Sequence, residues 1–117
     1  MNILIADDEE AQVGLMREFL TRLGHTVHTA VDGRGALELL KTNTYELAFL
    51  DMSMPEVTGL ELADTIRKNA FPTKVVMITA YPAHFMDSLL SQPGGVDEYL
   101  PKPFGFEDLE KIVQKYS

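Results

Sequence analysis

Strand-like and helix-like patterns alternate five times along this chain, and that alternation restricts the fold more than any other property of the sequence. Residues 3–6 (Ile-Leu-Ile-Ala), 47–50 (Leu-Ala-Phe-Leu) and 74–79 (Lys-Val-Val-Met-Ile-Thr) are nearly continuous apolar runs, the pattern of strands buried on both faces of a parallel sheet. Residues 26–30 and 96–100 supply two more strand patterns. The first helix is expected over 11–23, with Met16, Phe19, Leu20 and Leu23 on one face, Arg17, Glu18 and Arg22 on the other, and Gly24 as its stop. Asp32-Gly33 reads as a turn, and Ala36, Leu39 and Leu40 form a second stripe ending near Lys41. A third stripe of Gly59, Leu62, Ala63 and Ile66 is opened by capping-box spacing from Thr58 to Glu61. The fourth helix is short, over 83–91, because Pro82 only opens a helix and Pro93-Gly94-Gly95 must end one. Leu109, Ile112, Val113 and Tyr116 mark the last helix. Strands and helices in strict alternation imply right-handed crossovers and a parallel α/β sheet covered on both sides. With 117 residues, 45% of them hydrophobic, there is room for one core, and a single domain over 1–117 is expected.

In such a sheet the carboxyl ends of the strands share one edge, and ligands bind there. That edge collects the unusual residues. Asp7 and Asp8 end the first strand, Asp51 the third, Thr79 the fourth, and Lys102 follows the fifth. Pro55, which lacks an amide donor, and Gly59 force the chain to turn after Asp51. One aspartate at a strand end more often opens a turn than performs chemistry; it is the convergence that argues for a site. Three neighbouring carboxylates stay ionised cheaply only beside a cation, and the cation suited to hard oxygen ligands and phosphate chemistry is Mg²⁺. A lysine and a threonine hydroxyl beside a metal suit an anionic phosphoryl group.

Composition removes several classes. Ten Lys and Arg against eighteen Asp and Glu give a formal charge of −8, which repels a nucleic-acid backbone, so no direct nucleic-acid binding is expected. No apolar run approaches the ~20 residues of a membrane helix, and the start Met1-Asn2-Ile3-Leu4 lacks the basic flank of a signal peptide. The absence of cysteine excludes disulfides and thiol chemistry and is compatible with a reducing cytoplasm.

Asp7-Asp8, Asp51-x-x-Met54-Pro55-x-x-x-Gly59, Thr79-Ala80 and Lys102-Pro103-Phe104, in this order and at these intervals, resemble the CheY-like receiver domain of bacterial two-component response regulators. The resemblance runs from the first strand to the last helix. It implies a flavodoxin-like doubly wound sheet in the order 2-1-3-4-5. It also implies that Asp51 accepts a phosphoryl group from the phosphohistidine of a sensor histidine kinase or histidine phosphotransfer protein, in a Mg²⁺-dependent reaction in the cytoplasm. The acyl phosphate would reorganise the face made by the fourth helix, fifth strand and fifth helix, regulating an output domain or downstream protein, with homodimerisation through that face. Such a domain is not an enzyme in the usual sense; it takes part in its own phosphorylation and slow autodephosphorylation.

Carried over residue by residue, the resemblance makes Asp8 and Asp51 direct Mg²⁺ ligands, Asp7 a ligand through water, and the backbone carbonyl of Ser53 a further ligand. Lys102 would pair with the phosphoryl oxygens, and its bond to Pro103 would be cis. Thr79 would move to bond the phosphoryl group, Ala80 would leave it room, and Tyr99 would turn inward as Thr79 moves. Ser53 and Tyr81 fall at pocket-flanking positions associated with acyl-phosphate lifetime. The chain departs from the common pattern at Pro82, Pro93 and Gly94-Gly95, within the surface used for signalling.

Two other classes compete. A haloacid-dehalogenase-like phosphatase with Asp51 as nucleophile would need a second acid where this chain has Ser53. A flavodoxin-like flavin or nucleotide module would need a glycine- or hydroxyl-rich first loop in place of Asp7-Asp8-Glu9-Glu10. His25 and His28 would face opposite sides of a strand and share no metal; His84 is expected to be exposed, and the methionines to serve packing. An amino-terminal piece of a longer regulator is expected over a free-standing receiver.

Overall fold

The computed structural model describes residues 1–90 and 95–117. In chain order the elements are β1 (Asn2–Ala6), α1 (Glu10–Arg22), β2 (Thr26–Ala30), α2 (Gly33–Thr42), β3 (Leu47–Asp51), α3 (Gly59–Lys68), β4 (Lys74–Thr79), α4 (Ala83–Leu90), β5 (Glu98–Pro101) and α5 (Phe106–Tyr116). The strands form one parallel sheet in the order β2-β1-β3-β4-β5, the flavodoxin-like arrangement expected from the sequence. β1 is central enough to pair on both sides, so that Ile5 stands level with Thr29 of β2 and Phe49 of β3.

Alternation along the strands divides the core in two. Leu4, Ala6, Ala48, Leu50, Val75 and Met77 point to one face and are covered by Ala36 and Leu40 of α2, Leu62, Ala63 and Ile66 of α3, and Met86 of α4. Ile3, Ile5, Leu47, Phe49, Val76 and Ile78 point to the other, under Val13, Met16 and Leu20 of α1 and Leu109, Ile112 and Val113 of α5. β3 is buried along its whole length. Each large apolar side chain so buried contributes about 1.5–3 kcal/mol, which fixes the register and with it the residues at the strand ends. Met16, Met52, Met54, Met77 and Met86 are all in the core, in keeping with the packing role expected of them.

Several expectations are corrected. Asp32-Gly33 is a helix start: the Asp32 carboxylate accepts from the Gly35 amide at 2.7 Å, and Gly33 is the first, buried residue of α2. Turn and N-cap draw on the same residue types, so the dipeptide alone does not separate them. α1 begins and ends one residue earlier than expected; Leu23 becomes its C-cap and is exposed, while Gly24 adopts φ +97° and ends the helix as foreseen. β5 begins at Glu98, two residues later than expected. Its approach is held by Asp97, whose carboxylate accepts from the Val75 amide at 2.8 Å and pairs with Arg67 at the end of α3. The first proline of the fourth-helix reading, Pro82, does precede α4, whereas Ser91, Pro93 and Gly94 lie outside the described residues. His25 and His28 take separate partners, the Met1 amino group at 3.0 Å and the Tyr45 hydroxyl at 2.7 Å, and His84 is exposed.

One close approach ties the fold to the strand edge. α3 opens at Gly59, with Thr58 as N-cap accepting from the Glu61 amide at 3.2 Å. A Cβ on Gly59 would stand 2.3 Å from the backbone oxygen of Asp51 and 2.8 Å from Met77 Sδ. Gly59→Ala must therefore push α3 off the end of β3. Its expected cost is about 1–3 kcal/mol, read by denaturant unfolding; an unchanged midpoint would mean that the loop yields freely.

Candidate functional site

The carboxyl edge brings together the residues that the sequence placed there. One bond beyond the end of β1, the Asp7 amide donates to Ala30 O at 3.1 Å, and the Asp7 side chain is held in the interior with no exposed surface. Asp8, the next residue, is exposed. Asp51 closes β3 and is 4% exposed. One carboxylate oxygen from each of Asp7, Asp8 and Asp51 lies within 4.8 Å of the other two.

Donors surround this cluster unevenly. Asp7 Oδ1 accepts from the Glu9 amide at 2.9 Å, and Oδ2 accepts from Gln12 Nε2 at 3.0 Å. Asp51 Oδ1 accepts from the Ser53 amide at 3.2 Å. Lys102 Nζ stands between the two buried acids, 3.7 Å from Asp51 Oδ2 and 3.9 Å from Asp7 Oδ2. Lys102 thus faces two of the three clustered carboxylates. Burial pushes the Asp7 carboxyl up to about 6, with the neighbouring Asp51 charge adding to the rise and the Glu9 amide and Lys102 opposing it.

The oxygens fit a small divalent cation. Two oxygens on one Mg²⁺ at about 2.1 Å stand at most about 4.2 Å apart, so a cluster within 4.8 Å needs only slight contraction or one water-bridged carboxylate. All donors are hard oxygens, and the local charge is negative.

The remaining candidates lie on β4 and β5 or just past the ends of β3, β4 and β5. Thr79 ends β4, is 2% exposed, and its Oγ1 accepts from the Tyr81 amide at 3.0 Å. Its carbonyl accepts from the Lys102 amide at 2.8 Å, tying the end of β4 to the lysine. The Lys102–Pro103 bond is cis. Ser53 and Ala80 are exposed beside the centre. The Tyr81 ring is half-exposed and packs on Phe85 of α4, with centroids 5.3 Å apart. Tyr99 is half-buried on the α4 side of β5, its hydroxyl 3.5 Å from Asp87 Oδ1 on α4.

Gln12 is the site neighbour that the sequence did not reveal. Nothing in its type distinguishes it from the polar face of α1; only its place one turn beyond the Asp7-Asp8 pair hints at contact. A largely apolar pocket of about 700 Å³ adjoins it, bordered by Leu15, Ala80, Lys102, Phe104 and Phe106.

Among the described residues no helix is long and apolar enough to cross a membrane. A family model described as the response regulator receiver domain matches residues 3–114. Among curated proteins, the chain is 36% identical over 109 residues to the transcriptional regulatory protein TcrA of Mycobacterium tuberculosis, covering 93% of this chain and 43% of that one. It is 37% identical over 112 residues to the alkaline phosphatase synthesis transcriptional regulatory protein PhoP of Bacillus subtilis, covering 96% and 46%. The chain thus spans about half the length of these relatives. It also aligns over 117 residues, at 30% identity, with the aerobic respiration control sensor protein ArcB of Escherichia coli, covering 99% of this chain and 15% of that one. Among solved structures, the response regulator TrrA of Thermotoga maritima in complex with Mg²⁺-BeF superposes with a TM-score of 0.86 at 37% identity, covering 99% of this chain and 98% of that one. CheY4 of Vibrio cholerae gives 0.88 at 27% identity, covering 99% and 98%. Neither a haloacid-dehalogenase-like phosphatase nor a flavin module is favoured by these likenesses. A CheY-like fold and a match along nearly the whole chain lead to one conclusion: this chain belongs to the response regulator receiver domains of two-component signal transduction.

Proposed function

We propose that Asp51 is the phosphoacceptor of a Mg²⁺-dependent signalling switch. The observation that carries this reading is the crowding of three carboxylate oxygens within 4.8 Å of one another, with Lys102 between the two buried acids Asp7 and Asp51; the arrangement calls for a divalent cation and, with both Asp7 oxygens held by the protein's own donors, leaves Asp51 Oδ2 for attack. Mg²⁺ binding by TrrA, which shares the fold at 37% identity, supports the same ion here. Asp8 and Asp51 would hold it directly, Asp7 through water, and the Ser53 carbonyl would complete the protein's share. When bound, Mg²⁺ offsets the clustered negative charge and draws a phosphoryl oxygen toward the site.

In the transfer, the Asp51 oxygen nearer Lys102 attacks phosphorus. A P–O bond forms as the P–N bond of a phosphohistidine breaks, and the departing imidazole nitrogen keeps the electron pair and takes a proton. Lys102 lies 3.7 Å from that oxygen and follows the phosphoryl charge. Ala80 leaves the incoming group space, and Ser53 and Tyr81 flank it. The Tyr81 ring packs on Phe85 of α4.

Thr79 reads the modification. Its hydroxyl accepts from Tyr81 and keeps its own proton free to donate, so it bonds a phosphoryl oxygen by moving inward. Lys102 is coupled to that motion through the Thr79 carbonyl. Tyr99, whose hydroxyl lies near Asp87, follows inward and releases α4. The surface of α4, β5 and α5 then presents a new face to an output domain, a downstream protein or a second copy, and a sensor kinase or phosphotransfer protein supplies the phosphoryl group. On this reading the chain acts in the cytoplasm, its 117 residues form one receiver domain, and it makes no direct contact with nucleic acid.

Metal addition tests the site itself. Since Mg²⁺ binds only the folded cluster, it raises folding stability by about 2.7 kcal/mol at one hundred times its dissociation constant. Asp8→Asn removes most of that gain. A wild-type melting temperature indifferent to millimolar Mg²⁺ would dismiss the metal site.

A further inference from the structure

Among the described residues, Asp7 is the one member of the carboxylate cluster with both oxygens engaged by the protein's own donors. The Glu9 amide holds Oδ1 at 2.9 Å and the Gln12 side-chain amide holds Oδ2 at 3.0 Å. The first bond comes from the backbone of the adjoining turn and is available to any residue there. The second depends on the glutamine side chain. Lys102 faces the same Oδ2 at 3.9 Å but stands 3.7 Å from Asp51 as well, beyond hydrogen-bond length of either. Gln12 is therefore the side chain that fixes the plane of the Asp7 carboxylate, and it does so from the first turns of α1, a rigid element.

We infer that Gln12 is a positioning residue for the metal site, holding Asp7 so that its remaining lone pairs face the cation or its water. This rests on the Mg²⁺ reading above. The chemistry of the amide suits the task. A carboxylate oxygen accepts more than one bond, so donation from Gln12 leaves Asp7 able to serve the cluster. A neutral donor anchors the acid without opposing a divalent cation, as a second ammonium group would. It also stays in place when Lys102 is drawn to the phosphoryl group, the moment at which Asp7 loses its share of that cation. Donors behind metal ligands orient them and strengthen binding, and removing one costs about tenfold in affinity or more. Gln12 is half-buried at the rim of the pocket bordered by Ala80 and Lys102, so whatever occupies that rim also reaches the orientation of Asp7.

Calorimetric titration of the metal-free protein with Mg²⁺ alone tests this, together with thermal unfolding in the absence of metal. Gln12→Met keeps the length of the side chain and removes the donor; it should bind Mg²⁺ about tenfold more weakly while its metal-free melting temperature stays near that of the wild type. Gln12→His, in mildly alkaline buffer, returns a neutral N–H at similar reach and should restore most of the affinity, which a role in packing alone would not produce. Leu15→Ala, on the same pocket wall, should leave affinity unchanged. Equal affinity of Gln12→Met and wild type would overturn the inference, as would a Gln12→His protein as weak as Gln12→Met. A wild type that binds no Mg²⁺ would bring down the metal reading and this inference together.

Discussion

Asp51→Asn abolishes phosphorylation. The amide oxygen that replaces the carboxylate carries no full negative charge and is a far weaker nucleophile toward phosphorus, so the reaction loses its acceptor. Folding survives the change, because the new Oδ1 still accepts from the Ser53 amide and one of the three mutually repelling charges is gone. Intact-mass measurement after incubation with Mg²⁺ and a small phosphoryl donor should show one added phosphoryl group on the wild type and none on the variant. Equal addition to the variant would move the acceptor to Asp7 or Asp8.

Thr79→Ala separates forming the phosphoryl bond from reading it. The nucleophile, the metal ligands and Lys102 all remain, so the variant should still be phosphorylated. What disappears is the hydroxyl that makes a phosphorylated site prefer an inward β4 end, and a ligand shifts an equilibrium only by its differential affinity for the two states. Loss of the Thr79 hydroxyl also frees the Tyr81 amide it now accepts from, so the resting loop loosens at the same point. Amide NMR spectra with and without a beryllofluoride phosphoryl mimic should show wild-type changes spreading through Tyr99 and α4, and changes confined to the neighbourhood of Asp51 in the variant. Equally wide changes in both would remove Thr79 from the coupling.

The strand edge was legible in the sequence because sheet burial leaves little choice of register. Apolar runs ending in Asp51, Thr79 and the Asp7-Asp8 pair can be placed without knowing any contact, and a parallel sheet then gathers their ends. Gly59, Leu62, Ala63 and Ile66 were equally readable, and all four are buried in α3. Harder to read were residues whose role depends on a partner distant in sequence. Asp97 anchors the approach to β5 through Val75 and Arg67, and no local pattern announces that. Gln12 sits among ordinary polar residues of α1 and gains its meaning only from the rotamer that reaches Asp7. Asp32 and Gly33 belong to both the turn and the helix-cap vocabulary, and the burial of Gly33 decides for the cap. The half-buried Tyr99, near Asp87, and Tyr81, packed on Phe85, depend on how α4 docks, which proline and glycine spacing alone does not set.

The central claim is that the buried carboxylate of Asp51 carries an acyl phosphate made with the help of Mg²⁺. Its most direct test is to phosphorylate the wild type with a small phosphoryl donor, treat it with hydroxylamine and map the product by peptide mass. An acyl phosphate is cleaved by hydroxylamine and leaves a hydroxamate, so the account predicts Mg²⁺-dependent addition of one phosphoryl group, its loss on treatment, and the hydroxamate on Asp51. A phosphoryl group that resists hydroxylamine, or a hydroxamate on any other residue, would contradict it.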